Sequence, residues 1–400
     1  MEYRFSKKAM QGRPAATRVI AARGATDPDF ISFAIGNPAY ETFPVEAIRR
    51  CNDLIYERVP KYALQYGPGQ GDRGFIDLVM KRLERVAGLN PENQDMIVTT
   101  GSQNILSLTP MTFCDEGDIV LVEEFTYMGA LNCMRAQLAV PRGVPVDADG
   151  SISLDGIVAA CEELGDKIKY LYLIPNFQNP MGVTMTLEKR KAVYALAQKY
   201  NFMILEDDPY GELRYKGEPV PSIKSLDVDG RVLYAGSFSK IMAAGLRLGY
   251  VVGAKEIIAK MVALKGSIDS GSTVISALIA RYFMEEYDLE EHVKNTAALY
   301  GLKCKAMCDG LDAHMSSKVT RTDPEGGMFL WITMPEGTDP DEILEKFLEN
   351  HVGIIPSSAF APDPAKKGHS FRVCFATPTL EEIEKGTKLL GDVTKELFGD

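Results

Sequence analysis

Five short apolar runs at a helix-separated spacing constrain this chain more than any other feature. They lie at residues 96–100, 119–122, 170–174, 202–205 and 232–235. Strands covered on both faces read as near-continuous apolar stretches, so each run fits a buried strand of a mainly parallel sheet. Helical patterns accompany them. Phe75, Leu78, Val79, Leu83 and Val86 recur at amphipathic helix spacing, and Leu187–Tyr200 carries a second such pattern with Glu188, Lys189 and Arg190 near its start. Alternating strands and helices predict an α/β layer fold with a mainly parallel central sheet flanked by helices.

The C-terminal third changes character. Residues 285–312 read as one long, charged helix leading out of the sheet region. Beyond it, 326–334, 352–356 and 371–375 read as strands, and 339–350 and Leu380–Phe398 as helices. These elements predict a smaller α+β domain. Four hundred residues exceed what one core usually organises. The expected division is a large domain at 44–290, with a small domain built from 291–400 and an N-terminal arm, 1–43.

Composition narrows the function. A net charge of −11 argues against a nucleic-acid surface. No apolar run reaches the roughly 18 residues of a membrane span. Residues 1–13 are polar and mixed, without the apolar centre of a signal peptide. Seven cysteines, at 51, 114, 133, 161, 304, 308 and 374, form no CxxC pair and suit a reducing cytoplasm. Cys304 and Cys308 stand one helical turn apart without a third ligand at metal spacing, so they read as plain thiols. None of the four histidines (292, 314, 351 and 369) sits in a metal-type or triad-type setting, which weakens hydrolase and metalloenzyme readings.

Chemistry-bearing residues fall just after the strands. Gly101, Ser102 and Gln103 follow the first, Tyr127 the second, Asn179 the third, Asp207 and Tyr210 the fourth, and Lys240 the fifth. Ligands of open α/β sheets bind at that carboxyl edge. Lys240 lies within Ser237-Phe238-Ser239-Lys240, with Arg247 seven residues on. A lysine amine there can form a Schiff base with an aldehyde. Ser237, Ser239 and Arg247 supply hydroxyls and a forked guanidinium for a phosphate. The strand-to-helix junction at Gly101-Ser102-Gln103 offers backbone N–H groups to the same kind of group. Arg372, flanked by apolar residues on a strand, needs an anionic partner, either a ligand or an internal carboxylate.

An aldehyde that carries a phosphate describes pyridoxal phosphate. The Lys240 segment resembles the cofactor-lysine motif of the fold-type I pyridoxal-phosphate enzymes, specifically the class I/II aminotransferases. The resemblance runs from about Gly36 to Arg372. It implies that Lys240 holds the cofactor and then moves a proton at the substrate's Cα. The family's Asp-x-x-Tyr pattern matches Asp207 with Tyr210, which implies contacts to the ring nitrogen and the phenolic oxygen; Asp208 would be a turn residue. Residues 175–182, Pro-Asn-Phe-Gln-Asn-Pro-Met-Gly, are similar to the family's Pro-Asn-x-x-Asn-Pro-Thr-Gly, so Asn179 would bind the same oxygen. Met181 stands where threonine is usual. Tyr127 would stack on the ring, although Phe125 replaces a common proline nearby. Tyr66, in Tyr-Gly-Pro-Gly, would reach the phosphate of a second subunit and implies a homodimer.

The resemblance gives the substrate α-carboxylate to Arg372, places Gly36 and Asn37 in a loop over the substrate, and offers Arg23 for a distal carboxylate. The step from Lys240 to Arg247 fits the aromatic, kynurenine and aminoadipate branch. A cytoplasmic, homodimeric aminotransferase working by a ping-pong cycle, with 2-oxoglutarate as acceptor, is expected. The same residues would serve a C–S lyase that eliminates at Cβ. A non-catalytic effector-binding relative is the other alternative; such proteins carry a DNA-binding helix-turn-helix, for which fewer than forty residues before the Gly36 loop leave no room. The amino donor is not legible.

Overall fold

The central sheet of the computed structural model, which describes residues 3–11 and 17–400, has seven strands. They are β1 (Gln94–Thr99), β2 (Ile119–Glu123), β3 (Val140–Val144), β4 (Ile168–Leu173), β5 (Met203–Asp207), β6 (Val232–Ser237) and β7 (Gly249–Ala254). Their spatial order is β1-β7-β6-β5-β4-β2-β3. The pairs β2–β3, β2–β4, β4–β5 and β5–β6 are parallel. Only β7 runs against its neighbours, β1 and β6. The expectations for residues 1–2 and 12–16 of the N-terminal arm lie outside the described residues.

Alternate residues of each strand leave the sheet on opposite faces. Leu171 and Leu173 join Val193 and Ala197 of helix Leu187–Tyr200 in one apolar cluster. Tyr170 and Tyr172, from the same strand, join the larger cluster on the other face. Helices therefore cover both sides, and every residue of β6 is buried. Two strands of the central sheet lie outside the sequence expectation. β3, Val-Pro-Arg-Gly-Val, is a half-exposed edge strand, the one place in a sheet where proline is tolerated. β7 begins two residues after Arg247, and its glycines hide the strand pattern.

The long helix expected at 285–312 is one helix, Leu289–His314, and the first two residues of the expected range, 285 and 286, close a separate helix. Val274–Glu286 ends, and Leu289–His314 begins after Asp288, whose carboxylate accepts the Glu291 N–H at 3.0 Å. That N-cap satisfies one of the donors a new helix leaves open, so the chain restarts instead of continuing. Cys304 and Cys308 are buried on this second helix, with sulfurs 4.0 Å apart.

The C-terminal strands form an antiparallel sheet in the order 355–356, 370–374, 329–333, 320–321. The expected strand at 352–356 is split, and its first half, Val352–Gly353, pairs in parallel with Ile31–Ser32 of the N-terminal segment. Helices Pro340–Glu349 and Leu380–Phe398 match their expected positions closely. Asp288→Ala is expected to lower the unfolding free energy of the apoprotein by about 1 kcal/mol, read from urea denaturation. An unchanged midpoint would mean that the cap does not set the helix boundary.

Candidate active site

The carboxyl ends of β1, β2, β4, β5 and β6 open onto one cavity of about 490 Å³. Gly36, Asn37, Ser102, Gln103, Tyr127, Asn179, Asp207, Tyr210, Ser237, Ser239, Lys240, Arg247 and Arg372 all line it. β6 delivers Ser237, and a single wide turn, Ser239–Ala243, carries Lys240. The chain then reverses into β7. This reversal returns Arg247 to the cavity's edge, beside Gly101.

Lys240 Nζ donates to the Gly36 carbonyl at 2.8 Å. Burial pushes its pKa down to about 8, and the Arg372 and Arg247 guanidiniums act in the same direction. Asp207 is almost fully buried. Its Oδ2 accepts the Tyr172 hydroxyl at 2.8 Å, while Oδ1 finds no hydrogen-bond partner among the described residues. Burial raises its pKa to about 7, and the Tyr172 bond only partly opposes this. Asn179 faces two ways. Its Oδ1 accepts Arg372 Nη1 at 2.8 Å, and its Nδ2 donates to the Tyr210 hydroxyl at 3.4 Å.

Arg372 is 3% exposed. Its Nη2 donates to the Ala34 carbonyl, and its Nε is unpaired. Phe329 and Phe360 pack against the guanidinium, at 4.2 and 5.0 Å from carbon to ring centre. Its hydrogen-bond partners are thus a carbonyl and an amide, both neutral, so the internal carboxylate left open by the sequence is absent among them. Tyr127 donates to Gln103 Oε1 at 3.3 Å, and Gln103 Nε2 donates to Cys133 Sγ at 2.9 Å. Helix Ser102–Phe113 starts at Gly101 without a side-chain cap, which leaves its first N–H groups for a ligand.

Known proteins match this architecture. The family model described as aminotransferase class I and II matches residues 28–390. The chain belongs to the class I and II aminotransferases. It is 37% identical to aromatic-amino-acid aminotransferase 1 of Thermococcus litoralis, covering 98% of this chain and 94% of that protein. It is 32% identical to 2-aminoadipate transaminase of Thermus thermophilus, over 93% and 91% of the two chains. A crystal structure of kynurenine aminotransferase from Pyrococcus horikoshii, in complex with PMP, is similar with a TM-score of 0.94 at 37% identity, covering 98% of this chain and 97% of that one.

The cofactor of this aminotransferase is pyridoxal phosphate, and the cavity fits it. A buried carboxylate oxygen without a donor suits a protonated ring nitrogen. The glycines suit a phosphate held close to the backbone. A methyl group on Gly249 would stand 2.8 Å from the Gly101 carbonyl carbon and 2.9 Å from the Ser102 nitrogen. A side chain on Gly101, at φ +72°, would strike Arg247 Nη2 at 2.5 Å.

Three sequence-derived residues fall outside the cavity lining. Gly101 sits behind it, against Arg247. Tyr66 is 89% exposed and lines a separate cleft with residues 269–275. Arg23, expected near a distal carboxylate, is exposed on helix Thr17–Gly24 and does not line the cavity, because its helix turns it to the outside. Asp208 is more than a turn residue. It accepts Asn176 Nδ2 and the Tyr234 hydroxyl, both at 2.9 Å, and so ties the Asn179 loop to the Asp207 turn. Sequence reasoning missed Tyr172 and Phe329, because an aromatic residue inside an apolar strand reads only as core. Gly249→Ala is expected to weaken cofactor retention strongly, since backbone must yield. Equilibrium dialysis of the apoprotein with pyridoxal phosphate checks this, and wild-type affinity would show that the junction is not the phosphate cradle.

Proposed function

We propose that this aminotransferase passes the amino group of an L-amino acid to 2-oxoglutarate in two half-reactions, with Lys240, Asp207, Asn179, Tyr210 and Arg372 as its working residues. Arg372 carries the proposal: it is a buried guanidinium beside the cavity, its hydrogen-bond partners are neutral, and one of its N–H groups is unused. A substrate carboxylate supplies the missing charge, and charge-assisted hydrogen bonds are the strong ones. Arg372 and Lys240 line the same cavity, so an amino or oxo acid with its α-carboxylate at Arg372 would have its Cα within the cavity that holds Lys240.

Pyridoxal phosphate, when bound, supplies the electron sink for loss of the Cα proton. Lys240 would hold it through Nζ and, once released, carry the proton to and from the substrate carbon. The lowered pKa suits this work, because about a tenth of the amine is then unprotonated at pH 7, far more than at the ordinary lysine value of 10.5. Asp207 Oδ1 would receive the ring nitrogen, and Asn179 and Tyr210 the phenolic oxygen. Tyr127 would cover the ring face. Ser102, Gln103, Ser237, Ser239 and Arg247, with Gly101 shaping the turn, would hold the phosphate. Gly36 and Asn37 sit on a loop that Thr377 grips, its hydroxyl donating to the Ile35 and Asn37 carbonyls at 3.2 and 2.8 Å.

The proposal includes a homodimer in which Tyr66 completes the partner's phosphate site. Its support is the 89% exposure of Tyr66 and the 71% exposure of neighbouring Leu64, an apolar pair a second copy would cover. It keeps the division at 44–290 against 1–43 and 291–400, supported by the pairing of Ile31–Ser32 with Val352–Gly353. A cytoplasmic location is in keeping with seven free cysteines. No helix among the described residues is long and apolar enough to cross a membrane.

Two measurements test the assignment. Arg372→Ala should lower kcat/KM for amino acids at least about a hundredfold, from two lost charged hydrogen bonds, while cofactor affinity holds. Unchanged kinetics would remove Arg372 from the site. Covalent capture of pyridoxal phosphate by the apoprotein needs the neutral amine of Lys240. Its rate should rise with pH, level off above about 8, and vanish in Lys240→Ala. A rate still climbing toward the ordinary lysine value of 10.5 would mean that Lys240 is not the capturing group.

A further inference from the structure

Tyr172 does not line the cavity, yet its hydroxyl is committed to the buried carboxyl group of Asp207. The residue is fully buried on β4, and it donates to Asp207 Oδ2 at 2.8 Å. The sheet register explains the contact. Tyr172 pairs with Leu205 of β5, and Asp207 lies two residues further along on the same face. Tyr170, two residues back on that face, offers a sharp contrast, since its hydroxyl has no partner among the described residues. The strand therefore carries one tyrosine whose ring alone is used and one whose hydroxyl is engaged.

Asp207 has no other side-chain donor among the hydrogen bonds of the described residues. Its neighbours offer it no positive charge. Asp208 follows it in the chain, and Tyr127 and Tyr210 approach from the cavity side. A buried carboxylate in such surroundings either finds donors or takes up a proton. A protonated acid, or one rotated out of line, cannot hold a protonated ring nitrogen.

We infer that Tyr172 is a positioning residue for the cofactor's ring nitrogen: its hydroxyl occupies Asp207 Oδ2 and holds the carboxyl group in place, leaving Oδ1 for the nitrogen. The inference rests on the proposed pairing of Asp207 with that nitrogen. Tyr172 acts only through Asp207, so it matters to ligands that carry the ring nitrogen and not to the phosphate or phenolic contacts.

The test compares two probes on apoprotein: pyridoxal phosphate, and its analogue with a C–H group in place of the ring nitrogen. Wild type, Tyr172→Phe, Asp207→Asn and the double variant are titrated with each by fluorescence. Tyr172→Phe is expected to weaken pyridoxal phosphate about tenfold, the loss of one charged hydrogen bond, and to leave the analogue's affinity unchanged. The double variant should match Asp207→Asn on both probes. Equal weakening of both probes by Tyr172→Phe would show a packing role and overturn the inference, as would no weakening of either. If Asp207→Asn binds both probes as wild type does, the ring-nitrogen pairing itself fails and the inference falls with it. If Asp207→Asn loses discrimination while Tyr172→Phe keeps it, only the role of Tyr172 fails. Should Tyr172→Phe not fold, the double variant gives the same reading, since any extra weakening of the analogue beyond Asp207→Asn overturns the inference.

Discussion

Asp207 and Arg372 are both buried at one cavity, and neither has a hydrogen-bond partner of opposite charge among the described residues. Asp207 presents an unbonded carboxylate oxygen, and Arg372 an unbonded guanidinium nitrogen. Leaving either charge in a low-dielectric site is unfavourable, by several kcal/mol in general. The fold accepts this because the sheet around them is secured elsewhere, by apolar clusters on both faces. A ligand with a cationic ring nitrogen near one end and a carboxylate near the other relieves both. Under the proposed function the ligand would meet both groups, and the contacts that complete the structure would also set its orientation.

The pairing of sheet and C-terminal region runs through the same groups. Arg372, on the antiparallel sheet, reaches Asn179 on the loop after β4. Lys240, beyond β6, reaches the Gly36 carbonyl of the N-terminal loop. Tyr300 accepts the Ala39 N–H on that loop, and Lys303 donates to Glu41 and to the Ala376 carbonyl. The Arg372–Asn179 and Lys240–Gly36 bonds thus join the central sheet to the N- and C-terminal segments at the cavity, and the bonds of Tyr300 and Lys303 hold those segments to each other. Under the proposed function a ligand held by Lys240 and Arg372 would bridge the same segments, so its binding and their mutual position would be linked quantities.

Much of the site was legible because motif residues follow strands closely. Lys240, Asp207, Asn179 and Ser102 each sit within a few residues of an apolar run, and a parallel sheet sends all such positions to one edge. Residues that act from within strands were not legible. Tyr172 and Phe329 have the composition of core, and nothing local separates a tyrosine with a committed hydroxyl from Tyr170. Boundaries failed where a short-range device outweighed the pattern. The Asp288 cap starts the long helix four residues later than its pattern suggested, and Pro141 and Arg142 mask an edge strand that needs only one bonded side.

The amino-acid order alone determined the chemistry on offer: a lysine amine, an acid, hydroxyls and an arginine just beyond strand ends, and a second arginine within an apolar strand. The folded chain decided which of these meet. Only the reversal at β7 brings Arg247 back to Gly101, only the β4–β5 register aligns Tyr172 with Asp207, and only helix Thr17–Gly24 turns Arg23 away. Those outcomes depend on contacts between residues far apart in the chain, whose energies no local stretch of sequence contains.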